Sequence, residues 1–280
     1  GNTCVMKHDP NVPACAAAIA KAFTDAGAPE NIVVNVAIDN ATIETAIRDP
    51  RIAAVSFTGS GNAGRIVASI AGSEIKPTVL ELGGSDPCIV LADADLETAA
   101  DVATLSRMIN AGQSCIAAKR IIVEDAIYDS FVEKLQSRMA NFKVGDPLLA
   151  DTQVGPIARD DLRKYLHRQV TETISAGAKC LLGGELSDGP GFFYPPTLLI
   201  DVTESMCAFK EETFGPVMVV IRAADVEEAV QLANETPYGL GAAVWTSDAK
   251  LATSVANRLE AGQVAINGIV KTDARLPSGG

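Results

Sequence analysis

The first 82 residues alternate short apolar segments with amphipathic ones, and this alternation constrains the fold more than any other feature of the chain. Predicted strands occupy residues 3–7, 32–36, 52–58 and 78–82, and predicted helices occupy residues 13–26, 41–48 and 65–71. Strands that are separated by helices pair side by side in the same direction, so this order predicts a parallel sheet covered by helices. The alternation resumes after residue 83 and continues to residue 267. We therefore predict an α/β protein with two domains, at residues 1–83 and 84–280.

The chain is acidic, with 280 residues and a formal net charge of −12. This balance disfavours nucleic acid and anionic membrane surfaces as partners, and no apolar run reaches the roughly eighteen residues that a membrane-spanning helix needs. Six cysteines without regular spacing do not make a disulfide framework, which favours a reducing, cytoplasmic setting. His8 and His167 stand far apart and no CxxC or HExxH pairing occurs, so we expect no metal site. The chain begins at Gly1 inside a predicted strand, and we expect it to be an internal piece of a longer protein.

A glycine-rich segment, Gly59-Ser60-Gly61-Asn62-Ala63-Gly64, lies between the predicted strand 52–58 and the predicted helix 65–71. In its G-x-G-x-x-G spacing, glycines such as Gly59 and Gly64 let the backbone approach a phosphate at a helix N-terminus. The segment alone is equally compatible with an ordinary strand-to-helix turn, but its place in a β-α-β unit favours dinucleotide binding. The acidic residue expected about twenty positions later is Glu81, whose carboxylate could bind a ribose or take part in the chemistry.

A second segment, Asn110-Ala111-Gly112-Gln113-Ser114-Cys115, separates a predicted helix from a predicted strand. Its small residues leave room around the Cys115 sulfur, and the Cys115 backbone N–H can face the group that the sulfur attacks. This arrangement suits an activated nucleophile with its own oxyanion donor. The alternative is a small buried side chain in a loop, which is common for cysteine.

The chain resembles the aldehyde dehydrogenase superfamily at five motifs, which occur in that family's order and at its spacing. The motifs are Phe57-Thr58-Gly59-Ser60, Leu80-Glu81-Leu82-Gly83-Gly84, Gly112-Gln113-Ser114-Cys115, Glu211-Glu212-Thr213-Phe214-Gly215-Pro216 and Pro237-Tyr238-Gly239-Leu240. A closer resemblance, to the NAD(P)-dependent succinate-semialdehyde dehydrogenase branch, is carried by Lys7-His8-Asp9-Pro10-Asn11, Leu82-Gly83-Gly84-Ser85-Asp86-Pro87 and Asp273-Ala274-Arg275. The resemblance implies a partial Rossmann-type cofactor domain at residues 1–83, followed by a second α/β domain at residues 84–280 that carries the nucleophile.

The resemblance assigns the chemistry to two residues. Cys115 matches the thiolate that attacks an aldehyde to give a thiohemiacetal, which becomes a thioester when hydride leaves for the nicotinamide. Glu81 matches the general base that activates water to hydrolyse this thioester. A cysteine paired with a glutamate suits thioester hydrolysis, whereas a cysteine protease requires a histidine.

The resemblance also implies a binding site for NAD or NADP. Lys7 matches the lysine that contacts the adenosine ribose, and Ser60 matches the serine at the pyrophosphate. Glu212 matches the carboxylate that holds the nicotinamide ribose, with Phe214 packing nearby. The alternatives are a surface charge for Lys7 and a cap of a helix or loop for Glu212. Pro10 replaces an acidic residue that commonly marks NAD preference, so the choice between the two cofactors stays open.

The expected substrate is a small aldehyde, with succinate semialdehyde as the first choice. The arginine that precedes the nucleophile by six residues in that branch is replaced by Ile109. Arg107, or Arg275 in the late loop 271–278, could instead bind the substrate carboxylate. The alternative for either residue is an ordinary solvated arginine.

The resemblance further implies that the complete protein is a homo-oligomer, either a dimer or a tetramer. It places the asparagine of the oxyanion site upstream of Gly1, so residues 1–280 alone are expected to be poorly active. Two other functions are compatible with the sequence. One is a catalytically inactive nucleotide-binding relative, and the other is an aldehyde dehydrogenase for a different small aldehyde.

Overall fold

The computed structural model describes residues 1–276 and 279. The chain divides into two compact units, Gly1–Leu82 and Gly83–Gly280. We call them unit 1 and unit 2. Both are built from strands that alternate with helices, which confirms the predicted α/β class.

Unit 1 contains four short strands and three helices. These are β1 (Cys4–Lys7), α1 (Pro13–Asp25), β2 (Val33–Val36), α2 (Ile43–Arg48), β3 (Val55–Thr58), α3 (Gly61–Ser73) and β4 (Thr78–Glu81). The pairing is parallel, as predicted: β1 pairs with β2, and β3 pairs with β4. Among residues 1–276 and 279, these two pairs do not join into the single sheet that the sequence predicted.

The core of unit 1 forms where α2 and α3 cover the β3–β4 pair. Ile47 from α2 packs with Val67 and Ala71 from α3, and Phe57 from β3 packs against them. The buried Gly64 lets α3 approach the end of β4, because a Cβ there would lie 2.6 Å from Leu82 Cδ2. The helix that follows the glycine-rich segment is thereby held against the strand pair.

Within its described residues, 83–276 and 279, unit 2 contains seven strands and six α-helices. These are β5 (Pro87–Val90), α4 (Leu96–Met108), β6 (Arg120–Glu124), α5 (Tyr128–Met139), α6 (Asp160–Ser175), β7 (Lys179–Leu182), β8 (Thr197–Ile200), α7 (Cys207–Lys210), β9 (Val217–Ala223), α8 (Val226–Asn234), β10 (Gly241–Trp245), α9 (Ala249–Ala256) and β11 (Gln263–Ile266). The strands form one sheet in the order β11-β10-β5-β6-β9-β8-β7. All its pairings are parallel except that of β7 with β8.

Helices cover both faces of this sheet, and the strand sequences explain why. Successive side chains of a strand point to opposite faces. Ile89 belongs to one buried cluster, which includes residues of α6, α8 and α9, whereas Cys88 and Val90 belong to a second cluster with residues of α4 and α5. Strands that are buried on both faces need continuous apolar segments, and the central strands β5 and β9 are such segments. The sheet is therefore buried between two layers of helices.

Two further observations concern membranes and thiols. No helix within residues 1–276 is long and apolar enough to cross a membrane. All six cysteines carry free thiols, and Cys115 is half-buried.

Candidate active site

The Cys115 loop begins with an unusual backbone turn. Helix α4 ends at Met108, and a 3-10 turn spans Ile109–Gly112. Asn110 and Ala111 both have a φ of 54°, and Gly112 has a φ of +73°. Left-handed backbone is uncommon for residues other than glycine, and it persists only where the surroundings enforce it.

Close backbone packing and side-chain hydrogen bonds hold this turn in place. A Cβ at Gly112 would collide with the Gly215 backbone and lie 2.7 Å from the nitrogen of Pro216, so no other residue fits there without movement. Gln113 accepts a hydrogen bond from the Ala158 amide at 2.8 Å and donates to the Asn110 carbonyl at 3.2 Å. The turn is therefore fixed on both sides before the chain reaches Cys115.

Arg107 supports the same turn from beneath. Its side chain lies on the last turn of α4 and is 0% exposed, and Nη2 donates a hydrogen bond to the Gly112 carbonyl. Nε and Nη1 have no hydrogen-bond partner among residues 1–276 and 279. Burial lowers the pKa of Arg107 to about 10, which leaves the guanidinium charged at neutral pH. A buried guanidinium bound to a main-chain carbonyl is poorly placed to meet a ligand directly. The structure therefore disfavours Arg107 as the arginine that binds a substrate carboxylate.

Lys119 holds the loop just after Cys115. Its Nζ donates hydrogen bonds to the Ser114 carbonyl at 3.0 Å and to the Cys115 carbonyl at 2.8 Å. The side chain is 1% exposed, and its ammonium lies 3.5 Å from Glu212 Oε1. Sequence reasoning did not single out this lysine. The sequence feature that could have indicated it is the charged pair Lys119-Arg120 at the start of an apolar strand, because a charge buried there needs a partner.

Glu212 lies against the segment that begins unit 2. The Gly84 amide donates to Glu212 Oε1 at 3.2 Å, and a Cβ at Gly83 would collide with the Glu212 carboxylate. A Cβ at Gly84 would lie 2.8 Å from the Cys115 carbonyl oxygen. The two glycines therefore allow the backbone to pass between the carboxylate and the nucleophile loop, which explains both glycines of this motif.

Two more buried charges stand behind the loop, and the sequence analysis did not predict either. Arg120 donates to the carbonyls of Ser85, Leu232 and Ala233 at 3.0, 2.8 and 2.8 Å. Asp86 accepts a hydrogen bond from the Gly241 amide at 3.2 Å, while its Oδ2 has no partner among the described residues. Burial raises the pKa of Asp86, and the cations Lys119 and Arg120 only partly oppose this.

In unit 1, the glycine-rich segment forms the start of α3. Ser60 is the N-cap residue, and its Oγ accepts a hydrogen bond from the Ala63 amide at 3.3 Å. The helix begins at Gly61, four residues before the predicted start at residue 65. The Ser60 cap stabilises a first turn that includes Gly61 and Gly64. Gly59 lies directly before the cap, and its amide donates to the Glu81 carbonyl at 3.0 Å.

The other predicted residues of unit 1 lie at carboxyl ends of parallel strands. Glu81 is the last residue of β4, in register with Thr58, the last residue of β3. Lys7 is the last residue of β1, and its Nζ donates to Asn40 Oδ1 at 2.8 Å. Ligands of open α/β sheets bind beyond the carboxyl ends of strands, so these positions suit a ligand-binding role.

Phe214 and Arg275 complete the set of candidates. Phe214 is half-buried and follows Thr213, two residues after Glu212. Arg275 is 87% exposed, and its guanidinium pairs with Asp273, with Nη2 at 2.6 Å from Oδ2. Of the late loop 271–278, residues 277 and 278 lie outside the described residues. Within the described part of the chain, no group of three or more His, Cys, Asp and Glu side chains could hold a metal ion.

The sequence matches the aldehyde dehydrogenase family over residues 1–280. A succinate-semialdehyde dehydrogenase (NADP+) of Mycobacterium avium strain 104 is 48% identical over the whole chain and 59% of its own length. A succinate-semialdehyde dehydrogenase (NADP+) 1 of Mycobacterium tuberculosis strain H37Rv is 47% identical over the whole chain and 61% of its own length. The chain thus spans about three-fifths of the length of these curated relatives.

Solved structures of related proteins superimpose closely. Succinic semialdehyde dehydrogenase from Streptococcus pyogenes, in complex with NADP+, gives a TM-score of 0.96 at 35% identity, covering 100% of this chain and 61% of its own. Lactaldehyde dehydrogenase from Escherichia coli gives a TM-score of 0.95 at 36% identity, covering 99% of this chain and 58% of its own.

Proposed function

The chain belongs to the aldehyde dehydrogenase family, and from this premise we propose that the protein oxidises succinate semialdehyde to succinate with NADP+. The observation that carries the proposal is the placement of Cys115. It is half-buried at the end of a rigid left-handed turn, with a lysine on its carbonyl. Such a position gives a thiolate access to a small electrophile while its backbone stays fixed.

The first step uses Cys115 and its own backbone. The Cys115 sulfur adds to the aldehyde carbon, and the carbonyl oxygen becomes the oxyanion of a thiohemiacetal. Among residues 1–276 and 279, no group accepts a hydrogen bond from the Cys115 amide, so this N–H is available as an oxyanion donor. Loss of hydride from the carbon then leaves a thioester on the sulfur.

The second step is hydrolysis of this thioester, for which Glu81 is the proposed base. Its carboxylate takes a proton from water, the hydroxide adds to the thioester carbon, and the carbon–sulfur bond breaks to release the acid. Glu81 is half-buried at the end of β4, where a carboxylate keeps access to water. The alternative role for this carboxylate is to bind a ribose, in which case Glu81→Gln would leave the rate of thioester hydrolysis unchanged.

The residues of unit 1 fit the diphosphate of a dinucleotide. The first amides of a helix have no partner within it and favour an anion. At Gly61, the first residue of α3, a Cβ would come no closer than 3.7 Å to Arg65, so this helix start is not obstructed by its own side chains. When bound, NADP+ supplies the acceptor for the hydride.

The proposed cofactor residues divide by the group they would contact. Those for the diphosphate are Gly59, Ser60 and Gly64, and the one for the adenosine ribose is Lys7, whose cation suits a phosphorylated ribose. Glu212 would hold the nicotinamide ribose, with Phe214 beside it. The choice of NADP over NAD rests on the relatives whose names specify NADP.

The substrate carboxylate requires a cation, and Arg275 is the better of the two candidates. Its side chain is 87% exposed and pairs with Asp273 in the described part of the chain, whereas Arg107 is buried beneath the turn that precedes Cys115. Guanidinium offers bidentate geometry to a carboxylate. The similarity to a lactaldehyde dehydrogenase keeps a different small aldehyde as the second candidate substrate.

Two properties of the whole protein are also proposed. We infer a homo-oligomer, a dimer or tetramer, which light scattering of the purified full-length protein would measure. We also infer a cytoplasmic location, which the six free thiols support.

The function is tested with the full-length protein and its Cys115→Ala variant. The unsubstituted protein should form NADPH from NADP+ when succinate semialdehyde is added, and the variant should form none while binding NADP+ with near-normal affinity. Cys88→Ala, which removes a thiol buried in the sheet, is the matched control and should retain turnover. Substantial turnover by Cys115→Ala would contradict the assignment of the nucleophile.

A further inference from the structure

Lys119 contacts the two backbone carbonyls that flank the α-carbon of Cys115. Its Nζ lies 3.0 Å from the Ser114 carbonyl oxygen and 2.8 Å from the Cys115 carbonyl oxygen. A third interaction, 3.5 Å long, reaches Glu212 Oε1. A fourth contact, also 3.5 Å long, is a hydrogen bond to the Ala117 carbonyl. An ammonium has three donors, so the two shortest contacts, to the successive carbonyls of Ser114 and Cys115, dominate.

These contacts fix the direction of the Cys115 N–H. The Ser114–Cys115 peptide is trans and planar, so its C=O and N–H bonds point in opposite directions. Holding the Ser114 carbonyl toward Lys119 therefore turns the Cys115 N–H away from Lys119. The second contact, to the Cys115 carbonyl, prevents the following peptide from rotating independently.

We infer that Lys119 is a positioning residue that aims the Cys115 N–H at the oxyanion formed during aldehyde addition. The inference rests on the proposed function, because it concerns how the site of that reaction is assembled. A donor stabilises a transition state only if it already points to where the charge develops. Lys119 does not touch the substrate in this account; it acts through the backbone of the nucleophile.

The surroundings of Lys119 act on the charge of its ammonium in opposite directions. Burial lowers the pKa of Lys119, and Arg107 lowers it further, while the carboxylates Glu212 and Asp86 oppose both effects. The same Glu212 is the proposed ligand of the nicotinamide ribose. Lys119 therefore connects the position of the oxyanion donor to the position of a cofactor contact.

A purely structural buried lysine would have the same contacts, so the test must separate stability from alignment. In the full-length protein, Lys119→Met removes the donors and Lys119→Arg retains a cation. Lys143→Met is the matched control, since Lys143 is 51% exposed. Four quantities are measured: kcat, KM for NADP+, the rate at which iodoacetamide alkylates Cys115, and the Ser114–Cys115 peptide orientation in crystal structures.

Lys119→Met should lower kcat on the order of 10- to 100-fold, a large part of what one oxyanion donor supplies. The alkylation rate should stay within about twofold because the thiol itself is untouched. Any rise in KM for NADP+ should be smaller than the fall in kcat, because Lys119 reaches the proposed cofactor ligand Glu212 only through a contact of 3.5 Å. The crystal structure should show the Ser114–Cys115 peptide rotated. Lys119→Arg should lose less activity than Lys119→Met, and Lys143→Met should behave like the unsubstituted protein.

The inference is overturned if folded Lys119→Met keeps its kcat, or if its peptide orientation is unchanged. If Lys119→Met does not fold, the comparison of Lys119→Arg with the unsubstituted protein decides in the same way: a rotated peptide with lower kcat supports the inference, and an unchanged peptide with lower kcat overturns it. An unsubstituted protein without turnover would contradict the proposed function instead. The crystallographic comparison would still decide the role of Lys119 in that case.

Discussion

At the scale of single residues, the surroundings of Cys115 are determined by buried charges that the sequence does not reveal. Cys115, Glu81 and Glu212 are predicted from motifs, because their neighbours in the sequence are distinctive. Lys119 and Asp86 gain their importance from partners distant in the sequence, such as Glu212 and Gly241. Such pairings depend on tertiary packing, so residue spacing alone could not predict them.

The first residue-scale prediction concerns the substrate carboxylate. In the full-length protein, Arg275→Ala should raise KM for succinate semialdehyde on the order of 10- to 100-fold, the usual value of a lost charged hydrogen bond. KM for butanal, which has no carboxylate, should change far less. Arg258→Ala, at another surface arginine paired with an acid, is the control and should affect neither KM. Equal effects of Arg275→Ala on both aldehydes would assign Arg275 to the fold.

Arg107 should respond differently because it is buried. Arg107→Ala removes the donor to the Gly112 carbonyl and leaves a cavity, so it should lower stability and reduce turnover of both aldehydes alike. The measurement is the ratio of kcat/KM for succinate semialdehyde to that for butanal. A selective loss of activity toward succinate semialdehyde would restore Arg107 as the substrate contact.

At the scale of elements, the sequence predicts the strands and helices better than the sheets. The predicted strands 3–7, 32–36 and 78–82 and the predicted helix 13–26 coincide with β1, β2, β4 and α1 to within a residue at each end, because their periodicity is distinctive. The one-turn helix α7 was missed, since four residues are too few to show a helical period. The separation of unit 1 into two strand pairs was also missed, because pairing is decided by contacts outside each segment.

The left-handed turn before Cys115 leads to an element-scale prediction. Gly112→Ala should lower the free energy of unfolding by at least about 1–3 kcal/mol, because it combines a positive φ with a collision against the Gly215 backbone. Gly155→Ala is the matched control in the same unit, where a Cβ would lie 3.7 Å from Pro147 Cβ. The control should stay within about 0.5 kcal/mol. Denaturant titration of both variants measures the difference, and equal stabilities would mean that the turn tolerates a side chain.

At the scale of the whole molecule, Asp86 should make stability depend on pH. Burial raises the pKa of this carboxyl from 3.8 to about 7, against the opposing charge of Lys119. Between these values the folded state binds the proton and the unfolded state does not. The contribution of Asp86 to stability is therefore complete below about pH 4 and is lost as pH rises toward 7.

Asp86→Asn removes the titratable carboxyl while keeping the shape of the side chain. As pH rises from about 4 to 7, the unsubstituted protein should therefore lose stability relative to Asp86→Asn. The loss in unfolding free energy should reach up to a few kcal/mol. Thermal or denaturant unfolding across this range measures the difference. A constant difference at all pH values would mean that Asp86 is ionised throughout in the folded protein.

The proposed reaction proceeds in two steps through a thioester on Cys115, and a Glu81 variant separates the two steps. Full-length Glu81→Gln is mixed with succinate semialdehyde and NADP+, and the protein is examined by mass spectrometry while NADPH is followed. Acylation should survive and hydrolysis should slow by about 10²–10⁴-fold, the usual contribution of a general base. We predict a burst of one NADPH per site and a succinyl group on Cys115. An unchanged steady-state rate, or a burst without any adduct on Cys115, would contradict it.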